Sequence, residues 1–581
     1  MEELNGYDYL IVIVYMVMMV GIGVYFARFM KGSADDFKAG NRLAWWIGGL
    51  SSYMGAFSVW MFTGGAGKVY DEGLTGALWL GMTGVAIFTG YLLFAKLWRR
   101  SRVTTILEYL EERFNLPTHQ IASWVYVPFT LLYCGAALLS LAIFLSAALR
   151  LPVEQVIWVS GLVIVAYTLM GGLWAVCVTD VVQFLVLIPV CLLLIFLSLA
   201  AIGGPAKLLA EAPAGYWAVP SKGLPWYMIL IYLVLLIHGQ NTNPTAQRYF
   251  SSRDEREAKK VSLLCAALFL GGVFFWAIPP MCARILYPNL AGVIDLKAPA
   301  EGAFVVIALR VLPHGLVGLL VAGMFAATMS SLDSVYNVVA AIVSKDVAQR
   351  VFDRSMSDRT VLRVGQVVTG VVGLLVIGLS LLMHAHGGGA FDVMMKLSVL
   401  TGTPLATPML LGFIYRRAPS WAGAFSLACS GAVSLTFAFY TALHERLVVA
   451  GGEPLYYTVS GFTIVGVGVA SFLLSPLLFR DSAAARARIA GFFGKLATPV
   501  DVEKEVPPAT VDTRAVARLV GILGVLLGLL MLLCVLVPGT LRDRLVNLVI
   551  AVGLLGPCSL LTHLTRRRQQ PAAGDRTRSG S

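Results

Sequence analysis

The chain has 581 residues, 58% hydrophobic and 13% charged, with a net charge of +12 and a mean hydropathy of +0.79. That composition belongs to a polytopic membrane protein, and its longest polar stretch, about Arg480–Arg514, is too short to bury the core of a soluble domain. The basic residues fall in short loops at alternate ends of apolar segments, which is a topological bias of membrane proteins and argues against a nucleic-acid partner.

In chain order, window hydropathy predicts about fifteen spans, at about 8–29, 42–66, 75–97, 120–149, 154–172, 176–200, 226–247, 258–285, 314–344, 362–383, 390–415, 419–443, 457–478, 515–537 and 542–563. The first, about Tyr7–Phe29, is too long for a signal-peptide core. It has no basic stretch before it and no small-residue cleavage site after it, so it is expected to remain a helix. Residues 1–41 then read as an extra N-terminal helix with the first cytoplasmic loop. Residues 42–200 and 201–417 read as two successive five-helix groups, and 418–479 as additional helices. A cytoplasmic linker (480–514), two further helices (515–565) and a disordered basic tail (566–581) complete the chain. Arg28/Lys31/Lys38/Arg42, Arg99/Arg100/Arg102, Arg253/Arg256/Lys259/Lys260, Lys345/Arg350/Arg354/Arg359, Arg416/Arg417, Arg486/Arg488 and Arg566/Arg567/Arg568 all fall on one side. This predicts a multi-pass protein of the plasma (inner) membrane with its N-terminus outside and its C-terminus in the cytoplasm. The eight cysteines lie in or at the ends of apolar segments without any C-x-x-C, as packing residues do.

Two spans are interrupted. The second carries Gly48-Gly49, Gly55 and Gly64-Gly65-Ala66-Gly67; the seventh carries His238-Gly239-Gln240-Asn241-Thr242-Asn243-Pro244. Unwound backbone at membrane depth is tolerated where it lines a cavity, and paired broken segments mark transporter binding sites. Each opens a five-helix group, which is the arrangement of a five-plus-five inverted repeat. The stretch Thr328-Met-Ser-Ser-Leu-Asp-Ser-Val-Tyr-Asn337 places hydroxyls and a carboxylate within one long apolar segment. Ser330 and Ser334 share a helix face, and Asp333 is close by. Hard oxygens at that depth suit a hard cation such as sodium; serines there also bond to the preceding turn or join two helices. Asp180 opens the sixth span, where a carboxylate also complements the helix dipole.

Several motifs, in order over roughly residues 1–480, resemble the solute:sodium symporter family. These are Gly171-Gly172 with Ala175-Val176, Thr179-Asp180 and Gln183; Thr105-Ile-Leu-Glu108 through Arg113; Gln247-Arg248 with Glu257-Ala258; and Pro408 through Gly412, Arg416-Arg417 and Gly423-Ala424. The resemblance implies an all-α fold of the LeuT type, a five-plus-five inverted repeat with one extra N-terminal and several extra C-terminal helices. It implies a main sodium site at Met54, Phe57, Ala327, Ser330 and Ser331. It also implies a second cation site at Asp180, Ser330, Asp333 and Ser334, with Asp at 333 where sialic-acid-type members have Ser. For the solute it implies Ser58, Trp60, Met61, Thr63, Leu80, Tyr133, Asn241, Asn243 and Gln247. Galactose-type members have acidic and amide residues where Trp60, Met61 and Leu80 align. No arginine lies within 120–149, as a sialic-acid-type site would want. Lys68 and Lys396 are candidates to draw an anion or to snorkel to the interface.

The expected function is therefore sodium-coupled symport of a small polar organic solute into the cell by alternating access. Sodium would be the coupling ion, with no cofactor, no covalent chemistry and no nucleic acid; the partners would be solute, sodium and lipid. The competing readings are a proton-coupled or weakly coupled transporter or channel of the same fold, and a membrane sensor. A sensor would want a C-terminal signalling domain. An enzyme would want a catalytic cluster, and the histidines show only the loop pair His384/His386.

Overall fold

The computed structural model describes residues 4–27, 44–103, 105–169, 173–221, 223–242, 245–352, 355–386, 389–506, 513–536 and 539–567. All regular structure among them is helical. Helix α1 (Gly6–Ala27) precedes the first five-helix group. That group opens with the interrupted pair α2 (Trp45–Ala56) and α3 (Gly64–Glu72), then α4 (Leu74–Thr89) with its continuation α5 (Ala95–Ser101) and the short α6 (Glu108–Arg113). It ends with α7 (Leu116–Leu149), α8 (Val153–Thr168) and α9 (Leu173–Ile202). After the short α10 (Pro205–Glu211), the second group opens with the interrupted pair α11 (Trp226–Thr242) and α12 (Thr245–Phe250). It continues with α13 (Glu255–Leu286), the short α14 (Ala303–Val311), α15 (Leu316–Ala341), α16 (Asp358–His386), α17 (Ala390–Leu397) and its continuation α18 (Thr403–Ile414). Beyond it lie α19 (Ala422–Phe439), α20 (Thr441–Leu478, kinked at Gly451-Gly452), α21 (Ala483–Ala497), the one-turn α22 (Val502–Glu505), α23 (Thr513–Cys534) and α24 (Leu541–Arg567).

Among the described residues, eleven helices, continuous pieces taken together, are long and apolar enough to cross a membrane, and Gly6–Gly21 and Val153–Thr168 are shorter apolar helices. With the two interrupted segments they account for the spans read from hydropathy. The first interruption has a local cause. Helix α2 stops at Phe57, the Ser58 hydroxyl accepts the Trp60 amide at 3.2 Å, and one 3-10 turn, Val59–Phe62, leads to α3. A Cβ on Gly64 would lie 2.9 Å from the Phe391 amide nitrogen of α17. Glycine is what lets the two backbones approach. At Gly73 the backbone is left-handed (φ 58°) and a Cβ would strike the Tyr216 carbonyl, so glycine also makes the turn into α4.

Helix α15 is the most enclosed span: 94% of its most apolar stretch is buried, against 28% for α24. It packs on α1, α2, α7, α8, α9 and α16. Its run of Ser, Thr, Asp and Asn explains the placement, because lipid would leave those groups unsolvated. Helix α1 docks onto it through buried Asp8, whose Oδ1 accepts the Gly315 and Gly318 amides at 2.7 and 3.0 Å. A carboxylate there meets the positive end of the helix dipole.

Part of the polar stretch read as a linker is a docked helix. Ser482 caps α21 by accepting the Ala485 amide, and Phe492 and Leu496 enter an aromatic cluster with Trp98, Tyr109 and Phe413. Arg102 grips Glu505 at 2.6 and 2.9 Å, and its guanidinium holds that carboxyl down to about 2. Arg100 pairs with Glu255 at 2.7 Å while donating to the Leu496 and Ala497 carbonyls.

Candidate cation and solute site

The two interrupted helices and α15 meet in the interior. The Ser331 hydroxyl reaches the Gly55 carbonyl at the end of α2 (3.2 Å) and the Ala327 carbonyl one turn back on α15 (3.1 Å). Of the oxygens expected to hold the main cation, the Ser331 hydroxyl and the Ala327 carbonyl lie beside the end of α2. The contact is to Gly55, one residue from Met54 and two from Phe57, both of which are buried.

Ser330 turns elsewhere. Its hydroxyl donates to Asp180 Oδ1, while Ser51 of α2 donates to Asp180 Oδ2 at 2.5 Å. Arg248 of α12 completes this cluster: its Nη2 lies 3.8 Å from Asp180 Oδ2, and both side chains have no exposure. The guanidinium also donates to Ser51 Oγ, Gln247 Oε1 and Ser334 Oγ, each at 3.2 Å. Asp180, Ser330 and Ser334 therefore share one network. Asp333, fully buried, instead accepts from Asn337 Nδ2 at 3.2 Å. Arg248 was quoted in the sequence only as part of a motif. The available signal was an arginine in a broken membrane segment, which demands a buried carboxylate.

A cavity of about 370 Å³ lies beside this cluster. Ser58, Trp60, Met61, Tyr133 and Ser331 line it, as does His238 of the second break, together with Tyr126, Tyr232, Met394 and Met395, which the sequence did not single out. The other expected solute residues lie elsewhere. Thr63 bonds back to the Val59 carbonyl at 3.2 Å, and Leu80 packs against Gly65. Asn241 ties α11 to α4 by donating to the Ala86 carbonyl and Thr89 Oγ1. Gln247 partners Arg248, and Asn243 lies outside the described residues.

Away from the Arg99–Arg102 loop, the cavity is roofed by aromatic side chains. Tyr232 stacks on Trp79 with ring centres 3.9 Å apart, and Trp60 stacks on Phe391 at 6.1 Å. Trp60 Nε1 donates to the Ala390 carbonyl at 3.3 Å. Above the roof, Glu301 accepts the Ala390 and Phe391 amides, each at 2.9 Å. Lys68 sits 4.5 Å from the Phe391 ring centre. In the other direction the cavity extends along α11 to partly exposed Gln240 and along α18 to Leu410 and Leu411. Among the described residues, no cluster of His, Cys, Asp and Glu is suited to a tightly held metal. A weakly held alkali cation needs only the carbonyls and hydroxyls present.

The family model described as "Sodium:solute symporter family" matches residues 37–431. A sodium/sialic acid symporter of Aliivibrio fischeri is 25% identical over 477 residues, covering 78% of this chain and 93% of the relative. A sodium/glucose cotransporter of Vibrio parahaemolyticus is 26% identical, covering 72% of this chain and 82% of the relative. The solved structure of a substrate-bound, outward-open sodium-coupled sialic acid symporter superposes with a TM-score of 0.70 at 21% identity. It covers 82% of this chain and 98% of its own, which fixes the fold. The chain belongs to the sodium:solute symporter family.

Proposed function

We propose that this symporter couples one sodium ion to solute through the Ser331 hydroxyl, the Ala327 carbonyl and the carbonyls of Met54, Gly55 and Phe57. The observation that carries this reading is the Ser331 hydroxyl bridging the unwound end of α2 and the enclosed helix α15. A cation there would hold the two elements together and release them when it leaves, which links ion occupancy to alternating access. The solute would occupy the neighbouring cavity, beneath the aromatic roof. With the basic loops in the cytoplasm, that roof faces outside and the cavity extends inward. The test is uptake into proteoliposomes of the full chain. Accumulation should require an inward sodium gradient and collapse when choline replaces sodium. Equal accumulation on a proton gradient alone would overturn sodium as the coupling ion.

A second cation position at Asp180, Ser330 and Ser334 is supported by the acid's two hydroxyl partners. Arg248 already supplies a positive charge there, so a second sodium would compete with the guanidinium for the same carboxylate.

A further inference from the structure

The solute cavity holds no fixed charge. Among the described residues, no Asp, Glu, Lys or Arg lines it. The nearby interior charges have other partners: Asp180 with Arg248, and Glu301 with the amides of α17. Lys68 lies on the Phe391 ring and is not among the lining residues. A solute carboxylate entering this space would lose its hydration and meet no protein cation, and an isolated buried charge is the costliest group to desolvate.

Several of the hydroxyls in the lining are already committed within the protein. The Thr242 hydroxyl donates to the His238 carbonyl at 3.0 Å, Thr403 donates to the Val399 carbonyl, and Ser331 is engaged as described. A hexose carries a hydroxyl on nearly every carbon, and each would need a new partner here. Between the aliphatic side chains of the lining stand aromatic rings and methionines, Trp60, Tyr126, Tyr232, Met61, Met394 and Met395. Such walls suit a ring with an apolar or π face.

His238 lines the cavity, and its Nε2, like the Thr83 hydroxyl, is shut away from solvent with no hydrogen-bond partner. A buried donor or acceptor without a partner is unfavourable, and a solute edge that reaches it would supply the missing bond. Of the two, the flat imidazole, whose ring nitrogen can donate or accept according to tautomer, is the better reader of a heteroatom edge.

We propose that the solute is an uncharged heteroaromatic ring compound, of the chemical kind of a nucleobase or nucleoside, and that His238 determines specificity by bonding its polar edge. The proposal rests on the symport reading, since it assigns the cargo of that cavity. One rival is a carboxylate that borrows the transported sodium as its counter-ion; the other is a polyol.

The experiment is counterflow and sodium-driven uptake in proteoliposomes of the full chain. Radiolabelled uracil, uridine, D-galactose and N-acetylneuraminate serve as probes at equal concentration. Uracil or uridine should exchange at least tenfold faster than the sugar and the anion. His238→Ala should raise the half-saturating concentration of that probe at least tenfold and leave the half-saturating sodium concentration unchanged. His238→Gln, which keeps a donor and an acceptor, should recover part of the loss. The proposal is overturned if both heteroaromatic probes are silent, if galactose or N-acetylneuraminate exchanges as fast, or if His238→Ala leaves probe saturation unmoved. Exchange of uridine that ignores sodium would defeat the symport reading while leaving the solute assignment intact.

Discussion

Arg248 approaches Asp180 to 3.8 Å in the interior, and neither side chain is exposed at all. The pair joins the second interrupted helix, through α12, to the fifth helix of the first group, α9. Removing one partner of such a pair strands the other charge, at a cost of about 3–5 kcal/mol. Arg248→Gln and Asp180→Asn should each lower the melting temperature of the purified protein. The double variant, with neither charge left to strand, should melt closer to wild type than either single one. Additive losses in this cycle would show that the two residues are not coupled.

Ser331 gives the second prediction. If its hydroxyl is a sodium ligand, Ser331→Ala should raise the sodium concentration for half-maximal uptake at least tenfold, about 1.4 kcal/mol. Ser330→Ala should act mainly by stripping a hydrogen bond from Asp180. The measurement is initial uptake rate against sodium at fixed solute. An unchanged sodium curve for both alanine variants removes these serines from the main cation site.

The third prediction concerns stoichiometry. Asp333 faces Asn337. If it nevertheless helps hold a second sodium, the wild type should carry two sodium ions per solute by reversal potential. Asp333→Asn should then lower the Hill coefficient for sodium from near two toward one. A wild-type ratio of one would exclude the second ion. The difference matters energetically, because a tenfold gradient and about 100 mV supply roughly 3.7 kcal/mol per sodium for a neutral solute.

The parts legible in the sequence were those with a periodic or chemical cost attached. Spans follow from length and hydropathy. The first break follows from the glycines around Gly64, and Ser331 and Asp180 stand out as polar groups that lipid would penalise. What escaped needed three dimensions. The partner of Arg248 is 68 residues away, and no spacing rule joins α9 to α12. His238 opens the polar stretch of the second break, but the sequence does not say which side of that helix faces the cavity. Asn241 was attractive for solute because it lies beside the second break, yet its amide is occupied by carbonyl and hydroxyl groups of the 86–89 turn. The docking of α21 had a signal in the four-residue spacing of Phe492 and Leu496, masked by the charges between them and the preceding span.

Glu301 provides a pH test of the roof. It lies between spans, is 4% exposed, and accepts the first two amides of α17. A Cβ on Gly389 would lie 2.5 Å from its Oε1, and one on Gly67 of α3 would lie 3.1 Å from its amide nitrogen. The carboxylate therefore sits where α3, the second half of the broken helix, meets the start of α17. Burial pushes its pKa up from 4.5 to about 7; neighbouring Asp392 adds to the rise, while the two amides and Lys68 oppose it. The sign follows from linkage. The folded protein holds this proton more tightly than the unfolded chain, so the contribution to stability is complete below about pH 4.5 and is lost as pH rises through about 7. Its full size is on the order of 3 kcal/mol. The melting temperature should therefore fall between pH 5.5 and 8 by several degrees more in wild type than in Glu301→Gln, which cannot ionise. Glu301→Ala, which leaves two α17 amides without their acceptor, should be less stable than Glu301→Gln at both pH values. Parallel pH curves for wild type and Glu301→Gln would show that Glu301 does not titrate in this range.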